Sequence, residues 1–349
     1  MSLPVDHQQA ICAASQCLSI IKSSTMQSLW AEQGELTRLT LLAPPQPQTG
    51  SEKQATKSLV VKYITFNDNA KHPHGWHGLS SQQRKRHSYQ VELNWYQHYV
   101  SYEPDKQGMS PDMAELIHAH QDEQTIIIAL QDLAVDYPVR FTQGQADRSN
   151  NDQVKACLQW LAKLHAKYFQ QSPDDLWAKG SYWHLATRQD ELNAMPESTL
   201  KKAASTLDNL LNNCPFQTII HGDAKLANFC FEKNGKKAAA VDFQYVGQGV
   251  GIKDVMLLLT SVLPDDALVK QAKSLVEYYF QQLDNALSYW QPAVNSKQVI
   301  NAWQALYPIA WADFHRFLAG WKPNHWKIGK YCQQQTKQAL ADIEQLTDK

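Results

Sequence analysis

The pattern of apolar and polar positions changes character part-way along the chain. In roughly the first 130 residues it favours short strands, such as those expected at 58–66 and 124–133. From residue 152 the spacing becomes helical, and within 152–169 the apolar positions form a single stripe. Everything after about residue 252 also has helical spacing. The pattern therefore predicts a strand-rich N-terminal part followed by a helix-rich C-terminal part.

Several further elements follow from the same pattern. Residues 6–24 have helical periodicity, which predicts an N-terminal helix. The segment 28–43 predicts two short strands around a turn at Gly34, and 87–100 predicts another helix. Two short strands are expected around 217–220 and 238–242.

A chain of 349 residues is too long for one ordinary core and is long enough for two domains. Because the predicted strands end near residue 131, we place an N-terminal domain at 1–131 and a C-terminal domain at 132–349. A formal net charge of −1 argues against a general binder of nucleic acid or of membrane surfaces. We also expect no obligatory protein partner.

The N-terminal segment, the lengths of the apolar runs and the cysteines indicate the cellular compartment. The sequence begins without the basic and apolar regions of a secretory signal, and no run reaches the roughly 20 apolar residues of a membrane span. The six cysteines are scattered and form no C-x-x-C pair, so a disulfide or metal framework is not expected. These features predict a cytoplasmic protein.

Two segments carry the candidate chemistry. TIIHGDAKLANFCF (218–231) ends an apolar run on Asp223 and places Asn228 five positions later, and AAAVDFQYVG (238–247) ends another on Asp242. Transfer of a phosphoryl group to an alcohol needs a carboxylate to accept the hydroxyl proton, and oxygen ligands to hold magnesium. The spacing D-x-x-x-x-N, followed by D-F, is the layout of the catalytic segments of protein kinases.

On these residues the chain resembles the aminoglycoside phosphotransferase/choline kinase superfamily, whose catalytic loop is H-G-D-x-x-x-x-N. It is most similar to the ecdysteroid-kinase-like (CHK kinase-like) branch, over roughly residues 28–335. The further segments that carry the resemblance are SYQVELNWY, IIIALQDL, CLQWLAKLHAKYF and AVDFQYVGQGVGIKDVMLLL. It implies a bilobal protein-kinase-like α+β fold and transfer of the γ-phosphate of ATP, with Mg²⁺, to a hydroxyl of a small molecule. An amino-alcohol, an aminoglycoside, a sugar and a steroid-like alcohol all remain open as acceptors.

The resemblance assigns roles in the catalytic loop residue by residue. Asp223 matches the catalytic base, while Asn228 and Asp242 match the magnesium ligands. Lys225 lies two positions after Asp223, and we expect it to neutralise the transferred phosphate. Asp254 matches the acid that braces the catalytic loop. We interpret His221 as a structural residue of the loop.

The resemblance also assigns nucleotide-binding residues. Lys62 matches the lysine that binds the α- and β-phosphates, with Lys57 as its competitor, and Glu92 matches its ion-pair partner. Gln131 and Leu133 lie in the segment LQDL that matches the hinge, where backbone groups usually bind adenine.

Two departures qualify the resemblance. AEQGELTRL has one glycine where kinases have a glycine-rich loop, and Gln244 replaces the glycine of D-F-G, as is ordinary in this branch. Only twelve positions separate Asp242 from Asp254, which leaves no room for a long activation loop. The short segment favours a small-molecule acceptor over a protein.

Other interpretations compete with these. The single glycine supports a catalytically degenerate kinase-like protein that only binds a nucleotide or ligand; an isolated H-G-D also occurs in metal-dependent phosphoesterases. We interpret GQGVG (247–251) as a turn rather than a dinucleotide site, and a three-histidine cluster as part of a polar loop rather than a zinc site. The aromatic residues of the C-terminal helices fit either the core or a wall of the acceptor pocket. The histidines are His72, His74 and His77, and the aromatic residues are Trp303, Tyr307, Trp311 and Phe314.

Overall fold

The computed structural model describes residues 3–29, 33–45, 55–66, 79–100, 107–141 and 150–347. The chain forms two compact units. The first contains Met1–Glu103 and Met113–Val135, and the second contains Pro104–Asp112 and Asp136–Lys349. The first unit is built around an antiparallel sheet and the second is mostly helical, so the predicted fold class is confirmed.

The first unit consists of a five-stranded sheet with two helices. Its sheet has the order β1-β2-β3-β6-β5, and each pair of neighbouring strands is antiparallel. One face of the sheet packs on α1 through Ile11, Leu41 and Leu59, all fully buried. The elements are α1 (Val5–Ala14), β1 (Ser19–Ser28), β2 (Gly34–Leu42), β3 (Thr56–Thr65), α2 (Leu79–Asn94), continued by a π-helical turn (Trp95–Tyr99), β5 (Leu116–Gln121) and β6 (Thr125–Gln131), with β4 (Asp112–Met113) at the boundary of the units.

The predicted helix over 6–24 is wrong beyond Ala14. The chain turns at Gln16, whose φ of 56° is left-handed, and then forms strand β1. Because β1 is the edge strand of the sheet and nearly all of its residues are exposed, it lacks the alternation that identifies a strand. Of the two strands predicted in 28–43, the second is present as β2. Of the described residues before Gly34 in this segment, only Ser28, the last residue of β1, belongs to a strand.

The second unit is a set of packed helices with two small sheets. The four-stranded sheet has the order β4-β10-β9-β7, and β8 pairs with β11 in the other. The elements are β7 (Val139–Arg140), α3 (Asn151–Lys167), α4 (Gln189–Ala194), α5 (Thr199–Lys202), α6 (Ala204–Asn212), β8 (Thr218–Ile220), β9 (Phe229–Phe231), β10 (Ala238–Ala240), β11 (Gly247–Gly249), α7 (Ile252–Val262), α8 (Asp265–Trp290), α9 (Ser296–Ala305), α10 (Tyr307–Trp321) and α11 (Lys330–Thr347).

The turn expected at 247–251 is wrong in its first part. Residues Gly247–Gly249 form strand β11, which pairs antiparallel with β8 in the register Gly247↔Ile220. This pairing places the chain beside the strand that leads into the H-G-D loop.

Three of the four named aromatic residues of the C-terminal helices belong to the core, whereas Tyr307 is only partly buried. Trp303, Trp311 and Phe314 are buried in the packing of α9 and α10, which leaves them no surface for an acceptor. Trp303 Nε1 donates to the carbonyl oxygen of Phe216 at 2.9 Å. Within the described part of the chain, no helix is long and apolar enough to cross a membrane. The histidines 72, 74 and 77 lie outside the described residues.

Candidate active site

The H-G-D loop begins where β8 ends, at Ile220, and runs through a short 3₁₀ helix (Leu226–Asn228) into β9. Gly222 has a φ of +76°, and a Cβ at this position would lie 2.1 Å from the carbonyl oxygen of Tyr245. The glycine is therefore required both by its backbone conformation and by close approach of the chain.

Asp254, in the first turn of α7, holds the H-G-D loop by accepting hydrogen bonds from its backbone. Its Oδ2 accepts the backbone N–H of His221 at 2.6 Å, and its Oδ1 accepts that of Gly222 at 3.0 Å. His165 Nε2 lies 3.2 Å from Oδ2, and its Nδ1 lies 2.8 Å from the hydroxyl of Tyr279. Asp254 is fully buried. A buried carboxylate with this many donors holds two successive peptide groups in one orientation.

His221 connects the loop to the segment that carries Asp242. Its Nε2 lies 3.1 Å from the carbonyl oxygen of Val241, and its Nδ1 accepts the backbone N–H of Asp223 at 3.3 Å. These contacts assign the proton to Nε2, because Nδ1 must be an acceptor. The ring also packs on Phe243 with centroids 4.9 Å apart.

The two carboxylate oxygens of Asp223 have different surroundings. Oδ2 accepts hydrogen bonds from Lys225 Nζ at 2.7 Å and from Asn228 Nδ2 at 3.2 Å. No described residue donates a hydrogen bond to Oδ1. The side chain is buried, so one oxygen is held by two donors while the other remains available to a ligand.

Asp223 and Lys225 each shift the pKa of the other. Burial raises the pKa of Asp223; Lys225 opposes this, Asp242 adds to it, and the net shift is upward. Burial lowers the pKa of Lys225, but attraction to Asp223 and Asp242 outweighs it and raises the net pKa. The lysine therefore stays protonated beside the carboxylate.

Asn228 and Asp242 are brought together by a short hairpin. Asn228 directly precedes β9, and Asp242 follows β10 by two residues, with Ala240 paired to Phe229. The backbone N–H of Val241 also donates to the carbonyl oxygen of Asn228 at 2.9 Å. The two side chains therefore start from the same end of one hairpin.

Each of these two side chains is oriented by a specific contact. Asn228 Nδ2 donates to the carbonyl oxygen of Asp223 at 2.9 Å, which leaves its Oδ1 without a donor among the described residues. Asp242 has a φ of +70°, an uncommon backbone conformation for a residue other than glycine. Its Oδ1 accepts from Gln244 Nε2 at 2.6 Å, so the residue that replaces the glycine of D-F-G positions the carboxylate.

The donor set fits magnesium. In the described residues, no group of three or more His, Cys, Asp or Glu side chains could hold a metal ion. Asn228 and Asp242 instead offer one amide oxygen and one carboxylate. Such a set suits Mg²⁺, which is commonly held by one or two carboxylates, substrate phosphates and water.

Lys62 and Glu92 meet inside the first unit. Lys62 lies in β3 and Glu92 in α2, and Nζ is 2.5 Å from Oε2, with both residues buried. Lys62 also lies over the ring of Tyr89, 5.7 Å from its centroid. Lys57, its competitor in the same strand, is exposed.

The hinge segment is anchored through Asp132. The carboxylate of Asp132 accepts from Arg38 Nε at 2.7 Å and from Ser58 Oγ at 2.6 Å. The backbone N–H of Gln131 donates to Glu115 at 2.9 Å. No described residue accepts from the backbone N–H of Leu133. Gln131 is thus part of the sheet, whereas Leu133 retains a free donor.

The glycine of AEQGELTRL has a structural reason of its own. Gly34 has a φ of +142°, and a Cβ there would lie 2.0 Å from the carbonyl oxygen of Tyr63 in β3. The glycine is therefore needed for the pairing of β2 with β3.

The sequence analysis missed several residues that shape the catalytic loop. Ser261 Oγ accepts the backbone N–H of Leu226 at 2.9 Å, and Tyr182 donates its backbone N–H to Gly222 at 3.3 Å. Lys327 donates to Thr260 Oγ1 at 3.1 Å. No local pattern identifies these residues. Ser261 and Tyr182 contact the loop through the tertiary fold, and Lys327 contacts Thr260 beside Ser261. His165 lies in the buried stripe of α3, a position that gives no local signal of its role.

Comparison with known proteins bears on the resemblance. The family model described as ecdysteroid kinase-like matches residues 168–291, which include the catalytic loop, Asp242 and Asp254. The chain is similar to the ecdysteroid kinase-like family. The resemblance predicted from the sequence is therefore confirmed. The matched residues are about a third of the chain and lie within its second unit.

Solved structures of small-molecule kinases are also similar to this chain. The choline kinase LicA from Streptococcus pneumoniae is 12% identical, with a TM-score of 0.40, covering 97% of this chain and 98% of that one. A choline kinase from Cryptosporidium parvum is 10% identical, with a TM-score of 0.49, covering 99% and 97%. An aminoglycoside phosphotransferase from Streptomyces rimosus, in complex with ADP and streptomycin, is 11% identical, with a TM-score of 0.38, covering 74% and 91%. None of the curated proteins matches the sequence significantly.

Proposed function

We propose that this protein transfers the γ-phosphate of ATP to a hydroxyl group of a small molecule. The observation that carries the proposal is that the two carboxylate oxygens of Asp223 differ in their hydrogen-bond partners. Lys225 and Asn228 hold its Oδ2, and Oδ1 faces no donor among the described residues. A carboxylate held in this way can accept the proton of an alcohol in a fixed direction. The resemblance to the ecdysteroid kinase-like family supports the same reaction class.

In the proposed reaction, Oδ1 of Asp223 orients the acceptor hydroxyl and receives its proton. The hydroxyl oxygen bonds to the γ-phosphorus of ATP while the bond from that phosphorus to the β–γ bridging oxygen breaks, and ADP leaves. Lys225 neutralises charge on the phosphate in transfer, and its contact with Asp223 keeps it at the reacting centre. Lys62, held by Glu92, binds the α- and β-phosphates, and the backbone N–H of Leu133 binds adenine. Asn228 Oδ1 and Asp242 would hold magnesium, which supplies charge neutralisation for the nucleotide phosphates when bound.

The experiment is a measurement of ATP consumption in the presence of magnesium. The acceptor panel contains amino-alcohols, aminoglycosides, sugars, steroid-like alcohols and anionic alcohols. Wild type is compared with Asp223→Asn, which preserves shape but removes the base. We expect an acceptor-dependent rate that the substitution lowers by about 10²- to 10⁴-fold, the usual contribution of a general base. Asp266→Asn is the control, because Asp266 is exposed on α8.

Calorimetric titration of ATP is carried out with Asp223→Asn and Asp266→Asn. It shows whether a lower rate reflects removal of the base or loss of the folded nucleotide site. Unchanged ATP affinity in Asp223→Asn, together with a lost rate, supports the assignment. ATP binding without turnover on any acceptor would favour the alternative function, a kinase-like binding protein. A rate that survives Asp223→Asn would contradict the assignment of the base.

A further inference from the structure

Lys327 is a cation that the resemblance does not assign. It lies in the loop between α10 and α11, far along the chain from Asp223. Two series of contacts lead from Lys327 through intervening residues to the catalytic loop. Its Nζ donates to Thr260, whose neighbour Ser261 accepts the backbone N–H of Leu226 in that loop.

The second series begins with an aromatic contact. Lys327 Nζ lies 5.6 Å from the ring centroid of Phe314, and the Phe314 ring packs edge-on against Tyr182 at 6.4 Å. Tyr182 donates its backbone N–H to Gly222, directly before Asp223. Lys327 therefore contacts α7, which contacts the loop of the proposed base directly, and Phe314 of α10, which is connected to that loop through Tyr182.

The ammonium group of Lys327 is incompletely satisfied. It carries three N–H donors, and Thr260 Oγ1 is its only hydrogen-bond acceptor among the described residues. No described carboxylate forms an ion pair with it. Its pKa is lowered to about 8, mainly by burial and further by repulsion from Lys225, while attraction to Asp223 opposes the shift. A partly buried ammonium without a counterion is less well stabilised than a fully hydrated one, and an oxyanion would supply both oxygen acceptors and a compensating charge.

Two carboxylates of α10 and α4, Asp313 and Glu191, are already occupied. Asp313 is buried, and its Oδ1 accepts from Arg316 Nη2 at 2.7 Å while its Oδ2 accepts from Trp183 Nε1 at 2.9 Å. Glu191 forms an ion pair with Arg188 at 3.2 Å. Neither Asp313 nor Glu191 is therefore available to pair with Lys327 or with a cationic acceptor.

We propose that Lys327 is a second oxyanion-binding lysine at the catalytic loop, in addition to Lys225. The proposal rests on the proposed function, and its ligand is an oxyanion with two possible sources. One is the phosphate in transfer. The other is an anionic group on the acceptor alcohol itself. In either case Lys327 disfavours an acceptor whose positive charge approaches this side of Asp223.

The first experiment detects the oxyanion without requiring catalysis. Amine modification by acetic anhydride is followed at individual lysines by mass spectrometry, with inorganic phosphate titrated against chloride at constant ionic strength. Lys322 is the control, because it lies exposed in the same loop. At about ten times the dissociation constant, phosphate should slow modification of Lys327 about tenfold and leave Lys322 unchanged. Equal effects on both lysines would indicate an adventitious ion only and overturn the proposal.

Variants then distinguish the two sources. Lys327→Met removes the charge, Lys327→Arg preserves it, and Lys322→Met is the matched control. If the phosphate in transfer is the ligand, Lys327→Met lowers kcat and also slows the hydrolysis of ATP without acceptor. If the acceptor supplies the oxyanion, hydrolysis is unchanged and KM for an anionic acceptor rises about tenfold, corresponding to the loss of one ion pair. Lys327→Arg should retain most of either function.

The outcomes also separate this proposal from the proposed function. Phosphate protection of Lys327 without phosphoryl transfer to any acceptor would support the oxyanion site and contradict the kinase assignment. Transfer with identical kinetics in wild type and Lys327→Met, or a preference for cationic acceptors, would support the kinase assignment and overturn the role of Lys327.

Discussion

Substitution of Asp254 by asparagine tests whether the catalytic loop depends on the carboxylate beneath it. Asp254 receives two backbone hydrogen bonds, from His221 and Gly222, and a third contact from His165. Asparagine keeps the shape but replaces one acceptor oxygen by an NH₂ group. At least one of the two buried backbone N–H groups then loses its acceptor and faces another donor.

The magnitude follows from the kind of bond that is lost. A hydrogen bond to a charged group contributes about 1.5–3 kcal/mol, and a buried donor left unsatisfied costs about 1–3 kcal/mol. We therefore expect Asp254→Asn to lower the local stability of the loop by at least about 2 kcal/mol. Because about 1.4 kcal/mol corresponds to a factor of ten, the backbone amides of the loop should exchange hydrogen about 30-fold faster.

The assay is amide hydrogen exchange followed by mass spectrometry on the peptide that contains His221 and Gly222. A local measurement is preferable because a chain with two compact units need not unfold in one step. Asp266→Asn is the control, since Asp266 also lies in the first turn of a helix but is exposed. Exchange as slow in Asp254→Asn as in the control would refute the argument that these bonds fix the loop.

Three further predictions concern other parts of the protein. Glu92→Gln should raise the dissociation constant for ATP about tenfold by calorimetry, because Lys62 loses the charge that positions it; an unchanged constant would remove Lys62 from the nucleotide site. Gly222→Ala should lower the local stability of the H-G-D loop by at least about 1–3 kcal/mol, since a positive φ and a close approach to the carbonyl oxygen of Tyr245 coincide there. Amide hydrogen exchange of the loop at the wild-type rate would contradict this. The pH midpoint for amine modification of Lys327 should lie near 8, the value to which its pKa is lowered, mainly by burial. A midpoint near that of exposed lysines would show that the ammonium is solvated.

The catalytic loop could be predicted because its information is local. Asp223 and Asn228 are five positions apart, and the short β9–β10 hairpin brings the start of one strand beside the end of the other. Spacing along the sequence therefore determines which side chains share one end of the hairpin. The pairing of Lys62 with Glu92 depends on tertiary structure, and the sequence predicted it only through the resemblance.

Other elements could not be predicted because their determinants are not local. Strand β1 is at the sheet edge and almost fully exposed, so burial leaves no alternating pattern in its sequence. The role of Gln244 depends on the side chain of Asp242, whose backbone conformation is set by the fold. The position of Lys327 depends on how α10 packs against α7 and α11, which no spacing within its own loop encodes.

The surroundings of Asp223 also help to distinguish the two candidate functions, a phosphotransferase and a kinase-like binding protein. A carboxylate that only caps a turn would be expected to satisfy both oxygens with backbone donors or to lie in water. Asp223 is buried, its loop is held by Asp254 and His221, and one oxygen faces no described donor. Such an arrangement costs stability, and it is useful where that oxygen accepts a proton. A protein that only binds a nucleotide does not require it. For this reason we expect turnover, rather than binding alone, once an acceptor of suitable charge is supplied.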